Sequence, residues 1–165
     1  MEYRQRRLKQ GRDRVDEMYK DTHWIDELVY LNRHLIQGLP PFSEEKLLKD
    51  AWKKGDTYYD IPGVYLYTDT RVGEKIYFGE SQCSIRNRTY RFIEHTRKVE
   101  TGLPAAEQHS YHWVKTLGRT HADLLEHVSV QYLPLPIHLT KIVEAALISN
   151  HHNKHGCLPL LNSSF

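Results

Sequence analysis

At Pro62 the apolar rhythm of the chain changes from the period of a helix to that of a strand, and this switch decides the class of fold. Residues 63–69 and 75–79 are short, aromatic and β-branched, and a turn around Val72-Gly73-Glu74 separates them. Two such runs predict a β-hairpin. Alternation puts Val64, Leu66, Ile76 and Phe78 on one face and Tyr65, Tyr67 and Tyr77 on the other.

The segments around the hairpin read as helices. Trp24, Leu28, Leu31 and Leu35 form an amphipathic stripe ending near Gly38, after which Pro40 and Pro41 break the chain. Ser43 is a candidate N-cap, with Glu44 and Glu45 in the first turn of a helix running to about Gly55. Beyond the hairpin, Ile85, Phe92 and Val99 repeat every seven residues in a helix from Ile85 to about Glu100. A second helix is expected over Ala105 to Leu117 and a third strand over Leu125 to Leu133. A last helix follows from Ile137 to about His152, with Leu139, Ile142, Val143, Ala146 and Leu147 inward and Gly156 as its stop. The order from residue 62 is β-β-α-α-β-α, an α+β fold with a small antiparallel sheet flanked by helices. Residues 1–60 then form a helical N-terminal extension and residues 61–165 the core.

A chain of 165 residues with 39% hydrophobic and 27% charged content is ordinary for a globular protein. Its apolar runs are too short to span a bilayer, and a basic segment follows Met1, so no membrane association and a cytoplasmic location are expected. Cys83 and Cys157 have no CxxC spacing, which gives a structural zinc site or disulfide framework little support. The net charge of +2 is small, but it is unevenly spread. Six basic residues against Glu2 and Asp13 lie between Met1 and Arg14, among them Arg4, Arg6 and Arg7. Arg86, Arg88, Arg91, Arg97 and Lys98 against Glu94 give a second cluster. Solvated helix faces would look the same, yet two such segments also suit a phosphate backbone.

The residues fit for chemistry gather near the hairpin. Tyr65 and Tyr77 share a face, so their hydroxyls can converge. Arg88, Arg91 and His95 form one stripe of the next helix, at the rim of its apolar seam. Glu144 lies between Leu147 and Ile148 by helical rotation, where a carboxylate needs a cation, a donor or a metal as partner. Singly, each has a structural reading: packing tyrosines, a solvated arginine, an acid paired with Lys141. His151 and His155 have the spacing of a zinc pair but stand where the helix is ending, and imidazolium suits a helix C-terminus.

Together they follow an order that resembles a known family. Gly63-Val64-Tyr65, then eleven residues, then Tyr77-Phe78-Gly79 is similar to the paired motifs of the GIY-YIG nucleases, with Val64 and Phe78 replacing isoleucines. An arginine on the next helix, a histidine, a later glutamate and a C-terminal asparagine follow in that family's order: Arg91 (Arg88 is the alternative), His95, Glu144 and Asn162. Val143-Glu144-Ala145-Ala146-Leu147-Ile148 looks most like the restriction-endonuclease branch. The resemblance spans about Ile61 to Asn162. It implies a metal-dependent DNA endonuclease, in the first place a sequence-specific type II restriction enzyme. Tyr65 would take a proton from the attacking water with help from His95 or a metal, and Tyr77 would bond phosphate or water. The arginine would clamp the scissile phosphate, Glu144 would hold Mg²⁺ (or Mn²⁺), and Asn162 would brace the site. The partner implied is double-stranded DNA, contacted by Arg86, Arg97, Lys98, Arg4, Arg6 and Arg7, and a homodimer would supply two cuts. A structure-specific repair or recombination nuclease, a homing nuclease and an inactive nucleic-acid-binding protein are the alternatives.

Overall fold

The computed structural model describes residues 23–51 and 60–162. The N-terminal basic run with Arg4, Arg6 and Arg7 lies outside the described residues. The elements are α1 (His23–Gln37), β1 (Lys46–Leu47), α2 (Leu48–Ala51), β2 (Gly63–Asp69), β3 (Glu74–Ser81), α3 (Ile85–Glu100) and α4 (Gln108–Tyr111). A π-helical turn (His112–Thr116), α5 (His121–His127), β4 (Val128–Pro134) and α6 (Ile137–His155) complete them. The result is a mixed α+β fold on a four-stranded antiparallel sheet of order β1-β4-β2-β3.

Strand β2 is central, and both its faces are covered. Its alternate residues feed two cores, as a period of two requires. Val64 and Leu66 join Phe78, Leu133, Val143 and Leu147 under α6. Tyr65 and Tyr67 join Ile85, Phe92, Trp113, Leu124, Val130 and Leu161 under the helices of the other layer. Residues 23–51 belong to this packing. Ile36, Leu39 and Phe42 cover the first core, Leu48 is fully buried in the second, and Asn32 Nδ2 donates to the Ala146 carbonyl at 3.0 Å.

Several sequence expectations change. Alternation places Ile76 on the Val64 face, but it packs with Tyr65 and Tyr67. A register shift after Tyr67, where Tyr67 faces Tyr77 but Thr68 faces Lys75, inserts one residue into β3 and turns Ile76 over. Ser43 caps no helix: its N–H donates to the Tyr132 carbonyl at 2.7 Å and its hydroxyl accepts from the Tyr132 N–H at 2.9 Å, and β1 then pairs with β4. Leu31 and Leu35 are exposed, as is Ile142 on α6. The helix expected from Ala105 starts at Gln108, and the strand expected from Leu125 starts at Val128 because α5 occupies residues 121–127. A capping box fixes that start, with Thr120 Oγ1 accepting from the Asp123 N–H at 3.0 Å and Asp123 accepting from the Thr120 N–H at 2.9 Å.

Helix α3 follows the seven-residue repeat closely, with Thr89 and Thr96 completing a buried seam of Ile85, Phe92 and Val99. Ser84 caps it by accepting from the Asn87 N–H at 3.0 Å. Helix α6 runs one turn beyond expectation and stops at Gly156, whose φ of +72° is in the left-handed region. Among the described residues no helix is long and apolar enough to cross a membrane.

Candidate active site

Gly79 is the hinge of the site. It pairs across the sheet with Tyr65, and a Cβ there would lie 2.5 Å from Tyr65 Cζ, 2.6 Å from its hydroxyl and 2.6 Å from Tyr77 Cε1. Only a residue without a side chain lets both rings close over this strand. Their centroids stand 6.0 Å apart, and Tyr67 stacks on Tyr77 at 5.6 Å. Gly63 has a similar reason: a Cβ would collide with the Leu133 carbonyl and lie 2.7 Å from Ile85 Cδ1, so glycine lets β4 and α3 close on the start of β2.

Burial raises both hydroxyls. Tyr65 is held well above its ordinary value by desolvation and by Tyr67 and Tyr77, with Arg88 working in the opposite direction. Tyr77 is pushed up to about 12 by desolvation, then by the charge of Glu144, while a hydrogen bond with Tyr65 and the charge of Arg88 lower it. The buried Tyr65 and the partly buried Tyr77 are thus coupled to each other, and Tyr77 is coupled to Glu144, although Glu144 comes from the opposite layer.

Three contacts line the outer edge of β3. The Leu161 N–H donates to the Ile76 carbonyl at 2.8 Å, and the buried Asn162 side chain accepts from the Phe78 N–H and donates to its carbonyl, both at 2.8 Å. The Glu144 carboxylate takes a hydrogen bond from the Glu80 backbone. Each second residue of the edge is thus met, Glu80 by Glu144, whose charge acts on Tyr77. Its carboxyl is raised to about 7, first by burial and next by Glu80, against the pull of Arg88 and Lys141. Glu80 is itself anchored by the Thr140 hydroxyl at 3.1 Å.

The two candidate arginines part company here. Arg88 acts on Tyr65, Tyr77 and Glu144. Arg91 Nε lies 3.5 Å from Glu107 Oε1, in a second group behind the tyrosines. His95 belongs to that group, its Nδ1 buried without a hydrogen-bond partner and its charge acting on Glu107. His109 Nε2 is 3.0 Å from Glu107, and its ring stacks on Tyr77 at 5.1 Å. Burial pushes the Glu107 carboxyl up, yet the hydrogen bond from His109 and the charges of His109, His95 and Arg91 leave it below its ordinary value. Of the other basic residues, Arg86 is half-buried, while Arg97 and Lys98 lie 2.8 and 3.7 Å from Glu94, so Glu94 offsets part of that cluster's charge.

Sequence reasoning did not single out Glu80, Glu107 or His109. Glu80 follows directly on the Tyr77-Phe78-Gly79 motif, which was the signal available for it. Glu107 and His109 owe their place to a loop that folds back beneath Tyr77, and no local pattern marks them. Among the described residues no three His, Cys, Asp or Glu side chains gather to hold a metal ion. Glu144 and Glu80 are the carboxylates placed to meet a hard cation, which can fill its shell with water and phosphate oxygens. Comparison with protein-family models, curated proteins and solved structures returns no match.

Proposed function

We propose that this chain is a nuclease of the GIY-YIG type that hydrolyses phosphodiester bonds in double-stranded DNA, in the first place as a type II restriction enzyme. One observation carries the reading: Glu144, from a distant helix, acts on the Tyr77 hydroxyl and feels Arg88, which in turn acts on both Tyr65 and Tyr77. An acid, a guanidinium and phenols are the group types such hydrolysis needs.

The roles follow from chemistry. Arg88 takes the place of phosphate clamp, in preference to Arg91, because it interacts with both tyrosines and the acid while Arg91 is engaged by Glu107. Tyr65 would take the proton of the attacking water as a phenolate, after passing its own proton towards the His95–Glu107 group. Its burial opposes this, and Arg88 is the neighbour that favours it. Tyr77 stays protonated at neutral pH and donates a hydrogen bond to phosphate or water. His95 and Glu107 sit behind the tyrosines, able to pass a proton onward. Asn162 grips the strand between Tyr77 and Gly79 and positions both. A divalent cation at Glu144, Mg²⁺ or Mn²⁺, would neutralise charge on the phosphate and acidify a water. The raised carboxyl suits that ion, since a desolvated acid beside a second acid gains most from a cation partner.

Supercoiled plasmid with Mg²⁺ tests the reading: wild type should give nicked or linear DNA and Glu144→Gln none, with DNA binding retained. Cleavage by the variant at the wild-type rate refutes the assignment.

A further inference from the structure

Beside the strand edge lies a cavity of about 580 Å³, walled by the end of β3, the first two turns of α3 and Lys141 of α6. Its volume is that of a small-ligand site, and its chemistry is unlike an apolar cleft. Arg88, Arg91 and Lys141 supply three cations against the lining acid Glu80, with Glu107 drawing on the half-exposed Arg91 from outside the cavity. The Tyr90 ring, 42% exposed, forms one wall, and Asn87 stands beside it. Asn87, Arg88 and Arg91 follow Ser84 at helical spacing, with Arg88 at the rim of the buried seam.

Cations and a flat aromatic in one cavity match an anion that carries a planar base. Arg88 belongs both to this cavity and to the tyrosine–Glu144 group, so a ligand here continues into the reacting centre. We infer that the cavity binds the nucleotide next to the scissile phosphate, its base turned out of the duplex and stacked on Tyr90, its phosphate between Arg91 and Lys141, and its base edge within reach of Asn87. A free nucleotide has the same chemistry. Continuity with the reacting centre favours a strand. The inference rests on the nuclease reading for the word scissile, and on the cavity alone for the rest.

The two cysteines make it testable without activity. Cys83 lines the cavity and Cys157 does not, and both are exposed, unpaired thiols. The full chain, in chelator to prevent cleavage, is treated with N-ethylmaleimide with and without a duplex oligonucleotide, and labelling at each cysteine is followed by mass spectrometry. Duplex should slow labelling of Cys83 roughly tenfold or more and leave Cys157 unchanged. Tyr90→Ala should weaken duplex binding by roughly five- to a hundredfold, the range of one lost base stack, and abolish the protection, while Tyr90→Phe keeps both. Equal labelling of Cys83 with and without DNA, or unaltered binding by a folded Tyr90→Ala protein, overturns the proposal. Protection by a mononucleotide as strong as by duplex overturns the strand assignment. Protection of Cys83 in a protein that never cuts with Mg²⁺ supports the cavity and refutes the nuclease reading instead.

Discussion

Replacing Glu144 by Gln should stabilise the protein when divalent cations are removed. The carboxyl titrates near about 7 in the folded chain against an ordinary 4.5. Below the lower value both folded and unfolded states are protonated, and the residue is neutral to stability. Between the two values the unfolded chain has released its proton and the folded chain has not, so stability falls as pH rises through this window and is flat above it. Full linkage over that interval is at most ~3.4 kcal/mol. The residue is only half-buried and solvent screens it, so ~1–2 kcal/mol is the expected penalty. Urea unfolding in chelator, followed by tryptophan fluorescence, measures it. Wild type and Glu144→Gln should coincide at about pH 4, and the variant should be ahead by ~1–2 kcal/mol at about pH 8. Added Mg²⁺ should close the gap, because it stabilises only the protein whose carboxylate it binds. A variant less stable than wild type at about pH 8, or a difference that ignores pH, would mean that no strained acid is held there.

Four further expectations use other parts of the structure. Gly79→Ala should cost ~1–3 kcal/mol in unfolding experiments and disturb the tyrosine near-UV signal, since its methyl enters both rings; a loss under ~0.5 kcal/mol contradicts the close approach. Asn162→Ala leaves the buried N–H and carbonyl of Phe78 unpaired and should destabilise by ~2–4 kcal/mol, which the same denaturation series would detect. Asp69 is held down to about 2, chiefly by its hydrogen bond with Arg71 and also by Arg119, so its stabilisation holds above about pH 4 and fades as pH falls towards 2. Asp69→Asn should therefore melt lower than wild type at neutral pH and lose less on acidification. In single-turnover cleavage, Arg88→Ala should slow the reaction by hundreds-fold or more and Arg91→Ala by much less; the reverse order reassigns the clamp.

Local pattern carried the parts of the fold that local forces decide. The hairpin was readable because period two and a glycine turn are properties of neighbouring residues, and α3 because its seam repeats every seven. Ile76 was misread because a single inserted residue flips a side chain without changing composition. Helix α5 was missed because seven residues with Leu124 and Leu125 side by side resemble the start of a strand, and its capping box uses Asp123 in place of the usual glutamate. Ser43 looked like a cap because its hydroxyl can serve one; pairing with Tyr132, 89 residues away, claimed it instead. The site divides in the same way. Tyr65, Tyr77, Glu144 and Asn162 were visible as types in an order, whereas the choice of Arg88 and the place of Glu107 depend on which distant helix or loop closes over the sheet.

The edge of β3 has a consequence for how the protein is made. Asn162 grips a strand 84 positions earlier in the sequence, so the rim that gathers Tyr77, Gly79 and Glu144 stays open during synthesis until that asparagine has left the ribosome. On the proposed function, a partly synthesised chain would already contain every reactive group yet lack the clasp that aligns them.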